Sequence, residues 1–160
     1  MQRKEILELL PKDPYDDLGF LFWQIMKAWQ RDKQHLLGEF DITASQMEVL
    51  SSAFHLSLEG SEVTQIAIAN FINVDPMTTS TVLKNLEKKG LIKRRASKID
   101  TRARVVEVTK KGDSLLGEAI TKVRASTEKM LSKVDQDLLK GQLRILLEIL
   151  TETNNLGIKV

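Results

Sequence analysis

The sequence predicts a mainly α-helical fold carrying one small β-hairpin, and three observations lead there. Apolar residues recur at helical spacing through most of the chain. Proline and glycine break that pattern at a few places, among them Pro11, Pro14, Gly38, Gly60, Pro76 and Gly90. Only the stretch from Leu91 to Val108 reads as short β-branched runs on either side of a charged loop. The same region concentrates charge: from Pro76 to Lys111 there are 11 lysines and arginines against 3 acidic residues, a net +8 in a chain of net +2, so the remainder sums to −6. A near-neutral protein with its positive charge gathered in one segment carries an electrostatic footprint suited to a phosphate backbone.

With 160 residues and 42% hydrophobic content, the chain can bury one core and reads as a single domain. Cysteine is absent, which excludes disulfides, thiolate metal ligands and thiol redox sensing. The N-terminal MQRKEILELL is charged, without the apolar core of an export signal, and no window reaches membrane-spanning length. The expectation is a soluble, cytoplasmic protein with no membrane partner.

Taken in order, the chain opens with an arm, in which any helix from Arg3 to Leu10 must end before Pro11. Asp16 or Asp17 then caps a helix whose face is Leu18, Leu21, Phe22, Ile25 and Trp29, with Gly38 as its stop. Phe20, Trp23 and Met26 lie off that face, so the helix needs cover on a second side, which a partner subunit can provide. Thr43-Ala44-Ser45-Gln46 is a capping box opening a helix to about Leu56, with Met47, Val49, Leu50, Ala53 and Phe54 apolar. Glu59-Gly60-Ser61 is a turn. A short helix from Thr64 to Phe71 turns Ile66, Ala67 and Phe71 inward. Asp75 and Pro76 then suit the N-cap and first position of another helix, which runs to Lys89 and stops at Gly90. Its core side is Thr79, Val82, Leu83 and Leu86. Two short helices joined by so tight a turn outline a helix-turn-helix.

Leu91-Ile92 and Val105 to Val108 are strands around a loop from Ala96 to Ala103, a basic hairpin that serves as a wing. Thr109 caps a long helix to about Leu131, with Leu115, Leu116, Ala119, Ile120 and Val123 as its stripe. Asp135 caps a last helix whose Leu138, Leu139, Leu143, Leu146, Leu147 and Leu150, joined by Ile145 and Ile149, exceed one stripe. Excess apolar surface at both ends places a homodimer interface in residues 1–38 and 110–160, around a winged helix-turn-helix in 43–109.

These residues resemble the MarR family of winged helix-turn-helix regulators. The resemblance is carried by Val63-Thr64-Gln65, Ala69, Val74-Asp75-Pro76, Leu86 to Ile92 with Arg94, Asp100-Thr101-Arg102, Val108-Thr109 and Gly112. It implies a homodimer built from the terminal helices, with the helix from Asp75 to Lys89 in the major groove of DNA. It also implies that Arg102 reaches the adjacent minor groove and that Asp100 braces the wing by pairing with Arg94 or Arg104. Where many members carry an arginine in mid-helix this chain has Thr81, so the family's base preference does not transfer.

The residues themselves point the same way. Pro76, Met77, Thr78, Ser80, Thr81 and Lys84 are the outward positions of the reading helix. The hydroxyls of Thr78, Ser80 and Thr81 can donate to phosphates or base edges, and the methyls of Thr and Met can pack on thymine, but none offers a bidentate fork. Arg94, Arg95, Lys98, Arg102 and Arg104 are the wing candidates. The expected activity is sequence-specific binding of double-stranded DNA at a pseudo-palindromic operator, as a ligand-responsive repressor. The alternative is a winged module whose basic face docks an acidic protein partner. The resemblance further implies a small aromatic or anionic effector, for which Trp23, Met26, Trp29, Phe54 and His55 are candidate lining residues, with core packing as the plainer role for each. His35 and His55 stand in no acid–base or metal-ligand motif, so neither an enzyme, a metal site nor a cofactor is expected.

Overall fold

The computed structural model describes residues 10–100 and 102–154. The helix expected from Arg3 to Leu10 falls outside them except for Leu10. A 3-10 turn, Pro14–Asp16, leads into α1 (Leu18–Gly38), followed by α2 (Ala44–Ser57), α3 (Gln65–Phe71), α4 (Pro76–Lys88), β1 (Ile92–Ala96), β2 (Arg104–Val108), α5 (Lys110–Met130) and α6 (Gln136–Asn154). Each expected helix within the described residues is present, and local capping chemistry explains their starts. The Asp17 carboxylate accepts the Phe20 N–H at 2.6 Å, Thr43 and Gln46 form the reciprocal capping box, Thr64 caps α3, and Thr109 accepts the Gly112 N–H.

Three helices close with a left-handed residue that lets two N–H groups turn back onto the last carbonyls. After α4 this residue is Gly90, with Leu91 N–H on Leu86 O and Gly90 N–H on Glu87 O. After α3 it is Asn73, and after α1 it is Asp41. The helix ends at Gly38 as expected, and the left-handed residue that turns the chain back follows three positions later. Leu37 and Ile42, which bracket the Asp41 turn, are both buried, and their burial holds the turn in place.

One core runs through the chain, from Leu37 through Met47, Leu50, Ile68, Leu83, Leu86, Leu91 and Ile92 to Leu116 and Ala119. The expected inward face of α3 is corrected: Ile68 and Ala69 are buried, whereas Ile66 and Phe71 are 58% and 51% exposed. A helix of under two turns gives too few apolar positions to set its phase. Here the phase is set from outside, because Val106 N–H donates to Val63 O at 2.8 Å and Thr64 bridges Val105. The segment entering α3 thus lies along the wing as a third, very short strand. The hairpin itself pairs Ile92 with Val108 through Ala96 with Arg104, so β1 extends four residues beyond the predicted Leu91-Ile92, and Leu91 is a buried connector.

The terminal helices remain largely uncovered. Leu18, Trp23 and Ile25 on α1, and Leu138, Leu143 and Ile145 on α6, are exposed. None of the residues from Gln136 to Glu152 is buried. Among the described residues no helix is long and apolar enough to cross a membrane.

Candidate nucleic-acid interface

Helix α4 is held by its first turn. The Asp75 carboxylate accepts the N–H groups of Met77 and Thr78, at 3.0 and 2.8 Å, and the Thr78 hydroxyl and these N–H groups hold its pKa below the usual carboxylate range. Thr79 is buried and donates its hydroxyl to Asp75 O, while Leu83 and Leu86 fix the inner side. Pro76, Met77, Thr78, Thr81 and Lys84 face outward as expected, with Met77 81% exposed, and Ser80 is half-buried. The Thr81 hydroxyl donates to Met77 O, so it meets a partner as an acceptor unless that bond breaks. Asn85 and Lys88 extend the same exposed face. The sequence reading passed over Asn85, although it stands at i+4 from Thr81 and carries the amide that can pair with adenine.

The wing is anchored from two sides by carboxylates. Glu87, in the last turn of α4, accepts from the Arg94 side chain at 2.6 and 2.9 Å and from its backbone N–H at 3.1 Å. That pairing holds the Glu87 pKa below its ordinary value. Arg95 bridges Glu62 at 2.7 Å and Glu107 at 2.6 Å, and both pairings raise its pKa. Glu62 also accepts the Ser97 hydroxyl and the Lys98 N–H. Together these donors, Ser97 and Arg95 foremost, bring its pKa down to about 2.

This geometry bears on two expectations. Arg94 and Arg95, read as wing contacts, are occupied by carboxylates and fasten β1 to α4 and to the turn before α3. Asp100 pairs with neither Arg94 nor Arg104: its carboxylate accepts the Arg102 N–H at 2.9 Å and stiffens the wing tip as a turn cap. The bracing role belongs to Glu62 and Glu87. Neither was visible as such in the sequence, because Glu62 lies 33 residues from Arg95 and Glu87 stands on a helix whereas Arg94 stands on the strand after it. Lys98, Arg102 and Arg104 are exposed and, among the described residues, outside every ion pair.

The candidate effector residues separate into groups. Met26 and Trp29 line an open cleft of about 870 Å³ against the start of α2. Phe54 and His55 line a different one, of about 350 Å³, with Phe71, Leu116 and Ile120. Trp23 packs on Phe20 and under the Lys27 ammonium. The five do not converge on one pocket within a chain. No group of three or more His, Cys, Asp or Glu side chains able to hold a metal occurs among the described residues.

A family model described as MarR family matches residues 42–103. The HTH-type transcriptional regulator YdcH of Bacillus subtilis (strain 168) is 36% identical over 117 residues, which span 73% of this chain and 77% of that protein. Among solved structures, the S. aureus MepR–DNA complex matches with a TM-score of 0.75 at 22% identity, covering 89% of this chain and 100% of that one. CouR from Rhodococcus jostii RHA1 bound to p-coumaroyl-CoA matches with a TM-score of 0.71 at 22% identity, covering 86% and 94%. At such identities these two structures establish the fold.

Proposed function

Because the chain belongs to the MarR family and is a winged helix-turn-helix transcriptional regulator, we propose that it acts as a homodimeric repressor on a pseudo-palindromic operator. The observation that carries this reading is the division of labour among its cations. Arg94 and Arg95 are neutralised in place and hold the wing, while Lys98, Arg102 and Arg104 are exposed on the hairpin that follows α4 and, among the described residues, outside every ion pair. Charges left solvated and held on a rigid hairpin are arranged for phosphates or a narrow minor groove.

In this reading α4 lies in the major groove. Met77 and the threonine methyls meet thymine, Thr78 and Ser80 bond to phosphates or base edges, and Asn85 is the side chain able to read adenine. Lys84 and Lys88 contact the backbone. The exposed apolar faces of α1 and α6 join two copies, residues 1–38 and 110–160 forming the dimer region and 43–109 the DNA-binding region. Two copies of α4 about 34 Å apart then match half-sites one helical turn apart. CouR is bound to p-coumaroyl-CoA, and by analogy we place a small aromatic effector of this chain at the cleft lined by Phe54, His55 and Phe71, where α5 meets α2 and α3.

The test is a salt titration on a duplex selected from random DNA. Arg102→Ala weakens binding and reduces the slope of log K against log salt by about one unit. Affinity and slope both unchanged would remove Arg102 from the interface.

A further inference from the structure

The tip of the wing holds a feature that cation-to-phosphate binding does not use. Ile99 is 88% exposed, more than any other large hydrophobic among the described residues, and it stands between Lys98 and Arg102 on a charged hairpin. The loop that presents it is closed by hydrogen bonds. The Ser97 oxygen accepts the N–H groups of Ile99 and Asp100 at 3.0 and 3.1 Å, while the Ser97 hydroxyl donates to Glu62. Ala103 N–H donates to Asp100 O at 2.8 Å, and Ser97 N–H to Ala103 O at 3.0 Å. The N–H groups of Ser97, Ile99, Asp100, Arg102 and Ala103 are thus bonded within the loop, which leaves the exposed side chains of Lys98, Ile99 and Arg102 as what it offers a partner. A β-branched residue on such a loop has little rotamer freedom left to lose on binding.

We infer that Ile99 is a specificity-determining residue that packs on the floor and sugar wall of the minor groove and selects against guanine there; this rests on the DNA-binding reading above. Strands of five residues at roughly 3.4 Å each carry the tip about 17 Å from its root. That is enough to cross one phosphate ridge from a helix seated in the major groove. The minor groove, roughly 6 Å wide, admits side chains of a hairpin tip but no helix. Its floor offers only acceptors at A·T pairs, whereas G·C adds the guanine 2-amino donor. An aliphatic side chain pressed over that donor strips its water and returns no acceptor, which is costly. Over A·T, the same side chain covers sugar and base carbon while Lys98 and Arg102 face the phosphates and the negative potential of the narrow groove.

The experiment uses the full chain and its selected duplex, with each flanking base pair changed in turn to A·T, G·C or inosine·C. Inosine keeps the major-groove face of guanine but lacks the 2-amino group. The wild-type chain is expected to bind A·T and I·C alike at one or two flank positions, and G·C there about fivefold more weakly. Ile99→Ala brings that ratio below about twofold with little change on the G·C duplex, while Arg102→Ala weakens all three. If Ile99→Ala keeps the wild-type ratio, or if I·C behaves as G·C, the inference is overturned while the DNA reading stands. A wild-type chain that binds no duplex overturns both.

Discussion

Gly112 shows how close an approach the root of the wing demands. A Cβ at this position would lie 2.2 Å from Leu91 O and 2.9 Å from a Val108 methyl, and the former is backbone, unable to swing aside. Leu91 O also accepts the Thr109 N–H at 3.0 Å, so moving it opens the junction of α4, β2 and α5. Gly112→Ala is expected to cost about 1–3 kcal/mol, the range for overpacking a well-filled site, read as a lower urea midpoint at unchanged m-value. Glu62 gives a second prediction, in pH. Its folded pKa is depressed to about 2 from 4.5, so its contribution is complete above about pH 4.5 and is lost as pH falls toward 2. Glu62→Gln should therefore flatten the acid limb of a Tm-against-pH curve between those limits and leave its shape above pH 5 unaltered. An acid limb identical in the two proteins would show that Glu62 is not held by Arg95 and Ser97 in solution.

Among the elements, what could be read from the sequence was whatever a few neighbouring residues decide. Thr43, Asp75, Thr109 and Asp135 open helices because a side-chain oxygen two or three residues away from an orphan N–H is enough, and that spacing is visible in a string of letters. The outward face of α4 was legible for the same reason, since a helix of 13 residues repeats its face. What escaped were decisions made across the fold: the pairing of Val63 and Thr64 with β2, which rotates α3, and the capture of Arg94 and Arg95 by Glu87 and Glu62. The corrected phase of α3 can be measured directly. Ile68→Ala removes a fully buried side chain and should cost about 2–4 kcal/mol, whereas Ile66→Ala, on the exposed side, should stay within about 0.5 kcal/mol of wild type. Equal losses at the two positions would contradict the observed rotation.

For the molecule as a whole, the buried core lies between Leu37 and Ala119, while α6 and the first turns of α1 bury none of their large apolar side chains. In the proposed homodimer a second copy covers those faces, and the sedimentation coefficient should report a dimer at micromolar concentration with a Tm that rises with protein concentration. Leu143→Asp, at an exposed position of α6, should shift the molecule toward monomer and lower that Tm; a dimer that ignores this change would place the interface elsewhere. The naked leucines of α6 also bear on dosage. If the duplex is gripped only by pairs, then below the pairing constant the number of competent clamps grows as the square of the chains made. Halving synthesis would then empty an operator far more than by half, and a gene under such control would switch over a narrow span of supply with no small molecule involved.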